Sequence, residues 1–338
     1  MSFAERVDNY QRNHRLAGFP IAVVYKFFDD QGNYLAALIT YYAFWSLFPM
    51  LLLASSILGF ILQGNADLQN QLLDSTLSRF PVIGTEISTP TGLRGSGIAL
   101  TLGVLGSIYG ALGVAQASQN AMNIAWAVPR NRRPNPVLMR ARSVLLLATG
   151  GVAVLATTIF STVASSLVTL GFSELETWLR FAVLIATMLL NALVFAVLFR
   201  IATAHKHSLR QAAAGALFVA TVWQVLQLVG TAYAGRLVQG SMSDTNGVFA
   251  VVLGMLAWIF IGAVAVVFGV EINVVRAGKL YPRALLTPFT DNVDLTPADR
   301  LAYTRYAQGQ RHKGFQSVSV EFDERARPAA KDDRESSG

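Results

Sequence analysis

The sequence predicts an all-α, polytopic membrane protein: a six-transmembrane-helix bundle with both termini in the cytoplasm. Three observations carry that prediction. Hydrophobic residues make up 53% of the 338 residues and charged residues only 14%, a balance foreign to a soluble domain of this length. The charges crowd into short segments separated by six charge-free windows, 31–66, 95–129, 143–173, 181–199, 211–235 and 245–270. Each window holds an apolar core of about 19 residues or more, the length that crosses the hydrocarbon of a bilayer. Finally, 23 of the 27 Lys and Arg residues fall on one side of the six-span scheme and four on the other, so the positive-inside rule places both ends in the cytoplasm. Transmembrane β-strands would show as alternating segments of about ten residues, which this chain lacks.

Residues 1–33 form a cytoplasmic or interfacial segment. Arg6, Arg12, Arg15 and Lys26 are interleaved with Phe3, Val7, Tyr10, Phe19, Ile21, Val24, Phe27 and Phe28, a mixture suited to one or two helices whose basic residues face lipid headgroups. The transmembrane domain follows over 34–275, with spans at about 35–62, 97–119, 143–170, 180–200, 211–234 and 247–270. Span one is too long for a signal-peptide core and is followed by further spans, so it reads as a retained anchor. Near its middle Pro49 cannot donate to the Trp45 carbonyl, which predicts a kink. Ser46, Tyr41 and Tyr42 are at hand to satisfy the freed carbonyl, since lipid cannot.

Between spans one and two, Leu68, Leu72, Leu73 and Leu77 recur at helical spacing and predict a short amphipathic helix on the outer face. Asp67, Asp74 and Glu86 in this loop read as solvated carboxylates, with no His or second carboxylate at ligand spacing. Span two carries Gly103, Gly106, Gly110 and Gly113 on one face. Such a stripe is a packing seam, within one bundle or between two copies, so a homo-oligomer stays open. Toward its cytoplasmic end Gln116, Gln119, Asn120 and Asn123 share a face that should not meet acyl chains. Spans three to five add Gly150-Gly151, Asn191, Gln224 and Gln227. Span six closes with Glu271, the one carboxylate touching a span, and Asn273. The remaining 276–338 form a cytoplasmic, largely disordered tail with eleven basic and nine acidic residues, apart from a short helix over Ala298–Gln308 announced by Thr296-Pro297-Ala298-Asp299.

Several chemistries are excluded or unsupported. Without cysteine there is no disulfide, thiolate catalysis or zinc-thiolate site. No H-E-x-x-H, P-loop or G-x-S-x-G motif occurs, so no catalytic, cofactor-binding or metal residues are assigned and the chain is read as non-enzymatic. His205 and His207 read as loop residues of the positive belt. The net charge of +7 implies contact with anionic lipid headgroups rather than nucleic acid, because the basic residues sit in loops beside spans.

Three segments give the chain a family resemblance. Tyr41-Tyr42-Ala43-Phe44-Trp45-Ser46-Leu47-Phe48-Pro49, Ala121-Met122-Asn123-Ile124-Ala125-Trp126-Ala127-Val128 and Gly269-Val270-Glu271-Ile272-Asn273 resemble segments of the YihY/virulence factor BrkB family of bacterial inner-membrane proteins, once labelled ribonuclease BN. Val270 stands where Ala is usual, and Asn246 precedes Gly247 where Tyr is common. The resemblance implies the six-span fold and a place in the bacterial inner membrane, but it brings no agreed biochemical activity.

The residues themselves point to transport or translocation of a lipid or other amphiphilic envelope molecule, with a non-catalytic scaffold in envelope organisation as the alternative and ribonuclease activity, the historical family label, ranked last. A bent first span and polar side chains at depth are what a substrate path across a bundle requires. No charge lies in mid-membrane, which leaves a proton relay within the spans unsupported. The expected path comprises Tyr41, Tyr42, Ser46, Pro49, Gln116, Gln119, Asn120, Asn123, Glu271 and Asn273, with Glu271, Asn273 and Arg276 lining an inward-facing vestibule.

Overall fold

Apolar runs this long, without interior charge, have one way to satisfy their backbone in lipid, and each becomes a helix. The computed structural model describes residues 3–62, 97–169, 176–239, 245–285 and 294–322. The expected helix around Leu68–Leu77 and the tail beyond residue 322 lie outside the described residues. Two short helices come first, α1 (Phe3–Asn13) and α2 (Arg15–Asp29). A left-handed turn at Gln31, φ 57°, then redirects the chain into α3 (Gly32–Leu62), which runs through Pro49 as one continuous helix. The chain continues through α4 (Gly97–Ala125), α5 (Pro136–Thr169), α6 (Glu176–Ala202), α7 (Leu209–Gln239), α8 (Thr245–Gly278) and α9 (Pro297–Gly309). Helices α3 to α8 are the six among the described residues long and apolar enough to cross a membrane, and no strand occurs among those residues.

Each span packs on the next, and α8 returns to α3, so the six close into a ring; α4 also reaches across to α6 and α8. The glycine stripe decides the tightest of these contacts. Gly103, Gly106, Gly110 and Gly113 of α4 lie against Leu53, Pro49, Ser46 and Tyr42 of α3. The seam is therefore internal to one bundle. In lipid, where apolar surface gains nothing from burial against other apolar surface, close backbone approach supplies the dispersion energy that holds two helices together. A second close crossing joins α7 to α8, where Gly215 faces the Gly269 carbonyl so closely that a Cβ at Gly215 would collide with it.

With an even number of spans, α2 and the segment after α8 share one face of the bundle, here termed the terminal face. Phe27 of α2 stacks on Phe268 of α8 with ring centroids 4.0 Å apart. The buried residues Leu35, Ala36, Ile39, Ala121 and Val267 complete the apolar cluster around Phe27. Helix α9 begins as the sequence predicts: Thr296 Oγ1 accepts from the Asp299 amide at 3.1 Å, the Asp299 carboxylate accepts from the Thr296 amide at 2.9 Å, and Pro297 occupies the first turn.

Candidate functional site

Lys26 was expected among the residues facing headgroups, but α2 docks on α8 and turns it inward. Lys26 Nζ donates to Asp30 one turn along and to the Ala125 carbonyl at 3.2 Å, and stands 3.7 Å from Glu271 Oε2. The side chain of Glu271 is fully buried, that of Asp30 is 2% exposed, and that of Lys26 is 8% exposed. Taking these charges out of water costs several kcal/mol per ion, an outlay that only close pairing offsets. Burial alone would lower the Lys26 pKa, but the Glu271 and Asp30 carboxylates outweigh it and hold the ammonium above its ordinary value. Burial pushes the Asp30 carboxyl up, with Lys26 opposing.

A cavity of about 520 Å³ opens above this cluster on the terminal face, lined among others by Lys26, Asp30, Trp126, His205, Tyr303 and Arg305. Trp126, within the family-like segment after span two, carries both loop histidines on its ring, His205 at 4.5 Å and His207 at 5.0 Å. Burial lowers the pKa of each; His205 is further lowered by His207 and Arg305, and His207 by Arg200, against a His205 carbonyl contact that raises it. Both rings are therefore neutral near neutral pH.

Two of the residues that line that cavity, Asp29 and Tyr303, are held by Arg283, which is fully buried. Its Nε donates to Asp299, its Nη2 donates to Asp29 at 3.0 Å, and its carbonyl accepts from Gln11. The guanidinium also lies over the Tyr303 ring, 5.1 Å from the centroid. One arginine thus ties α1, α2 and α9 to the end of α8.

The residues expected to form a path are distributed as follows. Tyr41 is exposed on the outer surface of α3, while Tyr42, Ser46 and Pro49 pack on the α4 glycines, with the Ser46 hydroxyl donating to the Ala43 carbonyl at 2.7 Å. Gln116 is half-buried on α4. Gln119 donates to Ser143 Oγ at 2.8 Å and joins α4 to α5. Asn120 accepts from Arg133 at 3.1 Å and lines a separate hollow of about 500 Å³ with Tyr34, Arg130 and Tyr306. Asn123 accepts from the Ala204 amide at 2.8 Å, anchoring the α6–α7 loop. Asn273 accepts from the Gly215 amide at 2.8 Å, at the α7–α8 crossing. Glu271 meets Lys26 and Asp30 rather than Arg276, which is exposed.

A further hollow, about 490 Å³, lies within the spans among α5, α6 and α7. Thr157, Thr187, Asn191, Trp223 and Gln227 line it together with Gly150 and apolar residues, and none of its lining residues is charged. Thr157 and Thr187 hydroxyls donate to their own helices, to the Ala153 carbonyl at 3.0 Å and the Val183 carbonyl at 2.8 Å. Asn191 lies at the middle of its span, and neither it nor Gln227 has such a bond to another described residue. Their depth is legible in the sequence; that three helices bring them together is not.

This architecture defines an integral, multi-pass membrane protein. The family model described as Virulence factor BrkB matches residues 23–289, from the middle of α2 to beyond Arg283, and takes in Lys26, Asp30, Trp126 and Glu271. The chain belongs to the YihY/BrkB family. No curated protein and no solved structure matches it.

Proposed function

We propose that this protein transports or translocates a lipid or another amphiphilic envelope molecule across the bacterial inner membrane, with its terminal face in the cytoplasm. The observation that carries the reading is the hollow among α5, α6 and α7, which sets two amides and a Trp side chain beside apolar walls at bilayer depth. Polar side chains at that depth are costly unless they meet a partner, and an uncharged lining suits a cargo with long apolar chains and hydrogen-bonding groups. The distribution of Lys and Arg supports the orientation, with 23 of 27 on the terminal side. Those residues would also hold anionic headgroups.

The test is reconstitution of the purified protein in liposomes with fluorescent phospholipid, scoring whether inner-leaflet label becomes accessible to an external quencher. Wild type is expected to expose the label, and Asn191→Leu with Gln227→Leu to slow exposure roughly tenfold, a change of about 1.4 kcal/mol in the barrier. Accessibility no greater than in protein-free liposomes overturns lipid translocation and favours a scaffold. One observation speaks for that second reading: Gln119, Asn123 and Asn273 are all engaged in bonds between segments, each worth about 0.6–2 kcal/mol.

A further inference from the structure

Carboxylate oxygens accept hydrogen bonds and have none to donate. The carboxyls of Asp30 and Glu271 meet at the Lys26 ammonium, which donates to Asp30 and stands 3.7 Å from Glu271 Oε2, and both are more than nine-tenths buried. Neither Glu271 oxygen receives a donor from any described group. A single ammonium, on Lys26, serves both carboxyls. Fully ionised, the three side chains would carry a net charge of minus one and press two sets of acceptor oxygens together. One added proton neutralises the cluster and relieves the repulsion between two buried carboxylates that share one cation.

We infer that the Asp30–Glu271 pair is the binding site of one exchangeable proton, held beside Lys26 at the terminal end of α8 and reached through the cavity above it. Among the described residues, Lys26 is the cation paired with these carboxyls. Asp29, the remaining acid on α2, is paired with Arg283 at 3.0 Å. Around this end of α8, α3 contributes Leu35 and Ile39, α4 contributes Ala121 and Ala125, α6 contributes Phe199, and α7 contributes Ala212 and Ala216. On α8 itself Asn273 is bound to Gly215 and Arg276 is exposed. Tyr303 and Arg305 of α9, with His205 of the α6–α7 loop, stand around the cavity. Lys26 and Asp30 both line that cavity, which is the route by which a proton exchanges with water. In the transport reading this proton is the coupling ion, but the site rests on the geometry alone and its test uses no cargo.

Infrared difference spectroscopy of the full chain in nanodiscs, taken through a pH titration, reads the proton directly. Wild type is expected to show the C=O band of one protonated buried carboxyl at neutral pH, lost as the pH is raised. Glu271→Gln and Asp30→Asn each leave one carboxylate against one ammonium, a neutral pair with no need of a proton, so both should lack the band. A wild type without the band at neutral pH overturns the site, and so does a band that survives either substitution. Should Glu271→Gln fail to fold, the wild-type spectrum and Asp30→Asn decide. A failed lipid assay would leave a positive result here intact, and a missing band would leave lipid translocation untouched.

Discussion

Gly106 lies directly against the ring of Pro49, and a Cβ added to Gly106 would meet the Pro49 Cβ at 2.7 Å. The proline that marks span one and the GxxxG pair that marks span two are thus two halves of one interface. Replacing Gly106 or Gly110 with Val should wedge α3 from α4 and cost about 1–3 kcal/mol. Gly150 of α5 meets nothing within 4 Å and serves as the control. Thermal unfolding in detergent should place Gly106→Val well below Gly150→Val; equal midpoints would show that the seam tolerates side chains.

Lys26→Met should destabilise the protein by about 3–5 kcal/mol, because it strands two buried carboxyls without their cation. Adding Glu271→Gln to that variant should recover part of the loss, since one carboxyl is then replaced by an amide that carries no charge in any state and needs no cation. A double-mutant cycle on unfolding midpoints measures the coupling, and additive effects would mean that the two side chains do not interact.

The Arg283 network should respond unequally to loss of its two acids. Asp299 is fully buried, so Asp299→Ala leaves a buried guanidinium short of its main partner and should cost about 3–5 kcal/mol. Asp29 has a side chain 31% exposed, and Asp29→Ala should cost at most about 1 kcal/mol. Limited proteolysis between α8 and α9 reports the difference: faster cutting is expected in Asp299→Ala alone.

His205 and His207 have folded-state pKa values below the ordinary 6.5, chiefly through burial. A proton therefore binds the unfolded chain more readily than the folded one. Their stabilising contribution is complete above 6.5 and is lost as the pH falls below it through the folded-state values. The double variant His205→Asn, His207→Asn should show a smaller fall in unfolding midpoint over that acid range than wild type. Identical falls would assign the acid sensitivity to the carboxyls.

Much of the architecture is legible in the residues because lipid imposes a one-dimensional rule. A charge-free apolar run of about 20 residues has little alternative to a spanning helix. The start of α9 is local in the same sense, since Thr296, Pro297 and Asp299 satisfy one another within a single turn. The candidate site is less legible. The i,i+4 spacing of Lys26 and Asp30 is visible in the sequence, but on an amphipathic segment it reads as an ordinary surface pair. Their burial depends on Glu271, some 240 residues along the chain and brought beneath them by α8.

What the sequence by itself determined is the set of spans, the separation of basic from uncharged segments, the small-residue stripe and the depth of each amide. All of these follow from composition read along one helix at a time. Only the tertiary structure decided which faces meet: the glycine stripe on Pro49 and Ser46, Asn273 on the Gly215 backbone, Arg283 between Asp29 and Asp299, and Lys26 between two carboxyls. The physical reason is that hydrophobicity drives a helix into lipid without regard to its neighbours. Choice of partner then rests on backbone approach and on satisfying buried polar groups, which are pairwise and long-range in the chain.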